Sequence, residues 1–132
     1  MRVQEIGISR VLMTEKYDHP SPGAPHGAVA TEPLIREIAE RIVAQVHPLR
    51  IILFGSAARN EQGPDSDVDL LVVMPAGTPK RQTARNLYRR IRGLRVPVDI
   101  LVTTETDLER QKDNPGLIYR TILQEGRVLY AA

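Results

Sequence analysis

The sequence contains no cysteine and no tryptophan, one phenylalanine and four tyrosines. Lack of cysteine excludes disulfides, thiolate metal sites and cysteine nucleophiles. So few aromatic rings give poor support for a stacking platform for single-stranded nucleic acid, and direct nucleic-acid binding is not expected. Apolar runs reach only strand length, far short of the ~20 residues that span a bilayer, so no membrane association is expected. Met1-Arg2-Val3-Gln4-Glu5 opens no apolar segment of signal-peptide type. These absences fit a cytoplasmic protein. A further gap is local. Residues 75–98 contain Lys80, Arg81, Arg85, Arg89, Arg90, Arg92 and Arg95 and no acid. The rest of the chain holds 11 basic and 16 acidic residues, so the net charge of +2 conceals a segregation. An anion-binding surface is therefore expected to be local to this segment, against the simpler reading of a solvated helix face.

What is present fits one domain. A chain of 132 residues with 42% apolar content can bury a modest core. Residues 1–30 read as an N-terminal arm followed by a linker rich in Pro and Gly at 17–28, and the compact domain is expected over 31–132. Thr31 can cap a helix whose inner stripe is Leu34, Ile35, Ile38, Ile42 and Val46, with Pro48 as its stop. Strands are predicted at 50–54, 68–74, 96–102 and 127–130. The second is nearly continuous in apolar residues and so expected to be buried on both faces. Helices are predicted at about 80–92, with Ala84, Leu87, Tyr88 and Ile91 turned inward, at 105–112 capped by Thr104, and at 115–125 ended by Gly126. Alternating helix and strand signals indicate a small α/β (α+β) layer fold.

The most informative stretch is Phe54-Gly55-Ser56 and, after ten intervening residues, Asp67-Val68-Asp69. One strand ends in a Gly-Ser turn, and a second opens on two carboxylates one residue apart. Side chains alternate along a strand, so Asp67 and Asp69 point the same way. A lone Asp-x-Asp is more often an exposed, arginine-paired strand start than a site. The preceding Gly-Ser turn and a third carboxylate, Asp99 in Val98-Asp99-Ile100-Leu101, reverse that preference. Read as mid-strand, Asp99 needs a partner, and a divalent metal shared with Asp67 and Asp69 would supply one. Three carboxylates can hold two metal ions ~3.5–4 Å apart for in-line displacement at phosphorus. Gly55 permits close backbone approach, and Ser56 offers a hydroxyl and an N–H to a phosphate oxygen. The frame is neither a P-loop nor a nucleophile elbow. His19, His26 and His47 lie in expected loops or termini with no metal-ligand spacing.

The combination of Gly55-Ser56, Asp67-x-Asp69 and the distal strand carboxylate Asp99 resembles the nucleotidyltransferases of the DNA polymerase beta superfamily. The stretch from Phe54 to Val72 is similar to the minimal nucleotidyltransferases of prokaryotes, commonly encoded beside a HEPN-domain protein as a toxin–antitoxin pair. The resemblance covers about residues 31–130. It implies a polymerase-beta palm-like fold: a small mixed sheet flanked by helices. It implies that Gly55 and Ser56 bind nucleotide phosphates, that Asp67 and Asp69 bind metal, and that Asp99 is the third carboxylate, assisting the attacking hydroxyl. Arg59 matches a frequently basic position and is expected near phosphate. Asn60 departs from the usual Arg-Gly, a change that a left-handed turn tolerates. The implied cofactor is Mg²⁺, two ions, with ATP as substrate. The implied acceptor is a tyrosine of a HEPN toxin, in a homo- or hetero-oligomer. A non-catalytic antitoxin and a small-molecule (antibiotic) nucleotidyltransferase remain alternatives.

Overall fold

A computed structural model describes residues 31–59, 67–94 and 96–132. The expectations for the arm at 1–30 and for the turn at Asn60 lie outside the described residues. The order of elements is α1 (Glu32–Val46), β1 (Arg50–Phe54), β2 (Val68–Met74), α2 (Lys80–Arg90), β3 (Val98–Thr104), α3 (Glu105–Gln111), α4 (Ile118–Glu125) and β4 (Arg127–Ala131).

Helix α1 forms where its caps and stripe agree. The Thr31 hydroxyl accepts the Leu34 N–H at 3.3 Å, satisfying one of the orphan donors of the first turn. Leu34, Ile35, Ile38, Ala39 and Ile42 bury one face. Arg41 donates to Glu37 one turn back at 2.8 Å. The helix ends at Val46, two residues before Pro48: His47 turns left-handed at φ 50 and its N–H closes on the Val43 carbonyl.

The four strands lie in the order β3-β2-β1-β4. Strand β1 is antiparallel to both β2 and β4, whereas β2 and β3 run parallel. Residues alternate between two cores. Ile51, Leu53, Leu70, Val72, Ile100 and Val102 meet α1 and α2 on one face. Ile52, Leu71 and Val73 meet Leu108 of α3 and Ile122 of α4 on the other. Strand β2 is buried on both faces beyond its first two residues, as its apolar run predicts. Ile38, Ile42, Leu70 and Leu71 are fully buried. Each such side chain contributes roughly 1.5–3 kcal/mol by leaving water.

Two element starts differ from the sequence reading, each for a local reason. β3 starts at Val98, not at residue 96, because Pro97 has no N–H to give the ladder; its carbonyl still accepts from Val68 at 2.9 Å. α4 starts at Ile118, not at residue 115, because Asn114 Oδ1 captures the Gly116 N–H in a turn through Pro115. Gly126 does end α4, but with extended backbone at φ −78 rather than a left-handed one. A Cβ there would lie 2.6 Å from the Ile122 carbonyl oxygen and from Ile52 Cγ2, so close packing against β1 is what requires glycine.

Candidate active site

The register of the sheet builds a row across three strands. Phe54, the last residue of β1, stands opposite Asp69, and Asp69 stands opposite Asp99 of β3. In-register neighbours present their side chains to the same face, so Asp69 and Asp99 lie side by side. Asp67 immediately precedes β2, is exposed, and sits two residues from Asp69. All three carboxylates therefore share the end of the sheet where β1 finishes and β2 and β3 begin.

The Gly-Ser turn closes that end. Gly55 has φ +78, and a Cβ on it would collide with Asp69 Oδ2. Glycine is thus required twice, for the left-handed backbone and for the carboxylate packed against it. Beyond Gly55 the chain winds into a hydrogen-bonded turn. Ala58 N–H reaches the Gly55 carbonyl at 3.1 Å and Arg59 N–H reaches the Ser56 carbonyl at 3.1 Å. Buried Ala57 anchors it to the core. Ser56 is half-buried at its tip. Arg59 is exposed and lies 3.9 Å from Glu125 at the end of α4, an exposed pair.

The site is electrostatically loaded. Partial burial pushes the Asp69 carboxyl above the usual carboxylate range, and the neighbouring charges of Asp99 and then Asp67 push it further. No basic side chain among the described residues pairs with any of the three. Such a cluster of hard oxygens, without a basic partner among the described residues, fits a divalent cation, which would remove the repulsion that raises Asp69. Among the described residues, no three acidic or histidine side chains are drawn together tightly enough to hold a metal ion as they stand. Asp67, Asp69 and Asp99 thus share one end of the sheet without forming a closed three-ligand cage. That is compatible with Mg²⁺, which is commonly held by one or two carboxylates with the substrate's own phosphates completing its shell.

Asp99 differs from the sequence reading in its surroundings. It is not mid-strand and buried but the second residue of β3, and exposed. Its partner is Tyr88 of α2, whose hydroxyl donates to Asp99 Oδ1 at 3.1 Å. The same hydroxyl accepts the Ile100 N–H at 2.7 Å. Burial holds the Tyr88 phenol above its ordinary pKa despite the Ile100 N–H, and nearby Asp99 adds to the rise. Tyr88 was expected on the inner stripe of its helix; it is instead 39% exposed and reaches the outer edge of β3. The signal that could have marked it is a phenol set among arginines, shortly before the strand that carries the third carboxylate.

The chain belongs to the nucleotidyltransferase domain family, whose sequence profile matches residues 35–129. The match spans the Gly-Ser turn, all three carboxylates and Tyr88. A solved structure from Sulfolobus solfataricus, of a protein assigned only provisionally as a nucleotidyltransferase, is 31% identical. The similarity covers 58% of this chain and 69% of that one, with a TM-score of 0.45. No curated protein matches the chain in sequence. Among the described residues, no helix is long and apolar enough to cross a membrane.

Proposed function

We propose that this chain moves a nucleoside monophosphate, AMP from ATP, onto a tyrosine hydroxyl of a partner HEPN-domain toxin in the cytoplasm, acting as its antitoxin. The observation that carries the transfer chemistry is the Gly55 turn packed against Asp69, which stands in register with Asp99 on the neighbouring strand. Phosphates lie over the Gly55-Ser56 turn, where the small residue lets the backbone approach. Asp67, Asp69 and Asp99 would hold Mg²⁺, which when bound neutralises phosphate charge and orients the leaving group. Asp99, the exposed member on the edge strand, faces the acceptor and takes the proton of the attacking hydroxyl. That hydroxyl bonds to the α-phosphorus, the bond to the bridging oxygen breaks, and pyrophosphate leaves with its electron pair. Positioning and charge neutralisation do most of the work.

Two features favour an acceptor brought by an acidic partner. The domain is small, so a protein partner can reach the exposed Asp99 directly. Beside it, Arg81, Arg85, Arg89, Arg90 and Arg92 are all exposed and form no ion pair among the described residues. Arg81, Arg85 and Arg89 follow one another at i+4, a like-charge ridge that weakens an isolated helix. An acidic surface laid along α2 would satisfy it.

The test combines the chain, α-labelled ATP, Mg²⁺ and a HEPN protein, sought first in the reading frames beside its gene. Label on a tyrosine of that protein is expected. Asp67→Asn with Asp69→Asn should cut labelling by roughly two orders of magnitude or more, since losing ~2.7 kcal/mol of transition-state stabilisation suffices. Neutralisation of the toxin without any label would mean occlusion instead of catalysis. Label on an aminoglycoside but not on protein would mean a small-molecule enzyme.

A further inference from the structure

The hydroxyl of Tyr88 has one proton and two neighbours that decide where it goes. The Ile100 amide is a donor, so toward it the phenol oxygen must accept, and the 2.7 Å contact shows that it does. The proton is then left for an acceptor. Asp99 Oδ1 at 3.1 Å competes with the Ile100 carbonyl at 3.5 Å, and the shorter contact to the charged oxygen is the stronger. The Ile100 N–H lies on the outer edge of β3, where no further strand among the described residues follows to take it. The phenol is therefore fastened to the backbone on one side and to Asp99 on the other.

Without that contact Asp99 would be an exposed carboxylate near the beginning of an edge strand, free to sample several rotamers. Its neighbour Asp69 sits in register beside it and repels it. Repulsion alone would turn the Asp99 carboxylate away from the row. A neutral donor on Oδ1 holds it in place and leaves Oδ2 for whatever binds in the site.

The geometry points to Tyr88 as a positioning residue: it acts through Asp99, fixing that carboxylate toward the nucleotide-bound cation and the acceptor. The inference rests on the nucleotidyl-transfer reading for the role of Asp99. Tyr88 itself supplies no charge and exchanges no proton with substrate. The position is set by the fold, since Tyr88 lies two residues before Arg90, the last residue of α2, and directly follows fully buried Leu87.

The experiment is a double-mutant cycle of Tyr88→Phe and Asp99→Ala, read by binding of Mn²⁺ with ATP through the electron paramagnetic resonance signal of free Mn²⁺. Phenylalanine keeps the ring and removes only the hydroxyl. Tyr88→Phe is expected to weaken Mn²⁺·ATP binding about tenfold, the scale of an outer-sphere partner of a metal ligand. In the Asp99→Ala background the same substitution should change nothing, because its only route to the site is gone. Amide exchange at Ile100 should quicken in both backgrounds, reporting the lost backbone bond. Equal weakening in both backgrounds would show a merely structural role and overturn the assignment. So would full Mn²⁺·ATP affinity in Tyr88→Phe, or in Asp99→Ala alone. If the chain binds Mn²⁺·ATP but labels no acceptor, the proposed transfer fails while the cycle still decides the role of Tyr88. If it does transfer, Tyr88→Phe should lower kcat and leave the KM for the acceptor unchanged.

Discussion

Helices α1 and α2 cover the same face of the sheet, yet they are built from opposite materials. α1 buries Leu34, Ile35, Ile38, Ala39 and Ile42, carries a side-chain cap, and neutralises Arg41 with Glu37. α2 buries only Thr83 and Leu87, has Pro79 at its N-cap with no side-chain cap, and leaves a row of arginines without counter-charges among the described residues. Its start is held by Lys80 against Asp107 at the N-terminus of α3, and its last turns by buried Leu87 and by Tyr88 on β3. One helix is spent on stability; the other is a thin, charged cover whose inner contacts lead to the site. Residues that make no sense for folding are thereby concentrated where the chain can meet something else.

The comparison breaks most visibly at Ile38. Ile38→Ala removes a fully buried side chain between α1 and the sheet and should cost about 2–5 kcal/mol in a denaturant melt. The folded fraction should keep its nucleotide affinity. If affinity fell in proportion, α1 would belong to the site and the division of labour would be wrong.

A smaller effect concerns pH. The folded, metal-free protein holds the Asp69 proton more tightly than the unfolded chain does. Its contribution to stability is therefore fully present below the ordinary carboxylate pKa of about 4 and is lost as pH rises through the raised folded value. Melts with a chelator should show the wild type falling relative to Asp69→Asn as pH climbs from about 4 to 7. Added Mg²⁺ with ATP should close the gap. Parallel curves for the two proteins would mean that the like charges around Asp69 are screened by water.

The smallest effect on stability belongs to α2. Arg85→Glu with Arg89→Glu changes two exposed residues, so the melt should move within about ±0.5 kcal/mol. Association with an acidic partner should weaken and lose much of its salt dependence. Unchanged binding at low salt would reduce the ridge to a solvated surface.

Much of this was legible in the sequence. The apolar run at 68–74 and the stripe of α1 carry periodicities that tertiary packing did not overturn. The Gly55-Ser56 and Asp67-x-Asp69 pair could be placed because strands fix side-chain parity locally. Three things could not be read. The parallel register that sets Asp99 beside Asp69 is a long-range pairing with no local signature. The exposure of Asp99 hung on where β3 begins, which Pro97 shifts by two residues. The bond from Tyr88 depends on α2 covering the free edge of β3, whereas helical periodicity speaks only of inward and outward faces.

Strands β2 and β3 point the same way, so the chain must travel back along the sheet between them, and α2 is that return path. It sets out from the far end, where Lys80 meets Asp107, and arrives beside Asp99. Sequence number along α2 is therefore a ruler laid toward the chemistry. At 1.5 Å per residue, Arg81 stands roughly 12 Å further out than Arg89. Whatever grips the whole ridge is aligned along that axis with one end at the carboxylates. A graded series of single arginine substitutions should then read out distance: at Arg81 it alters only how tightly a partner is held, and at Arg89 it also alters how well the acceptor is aimed.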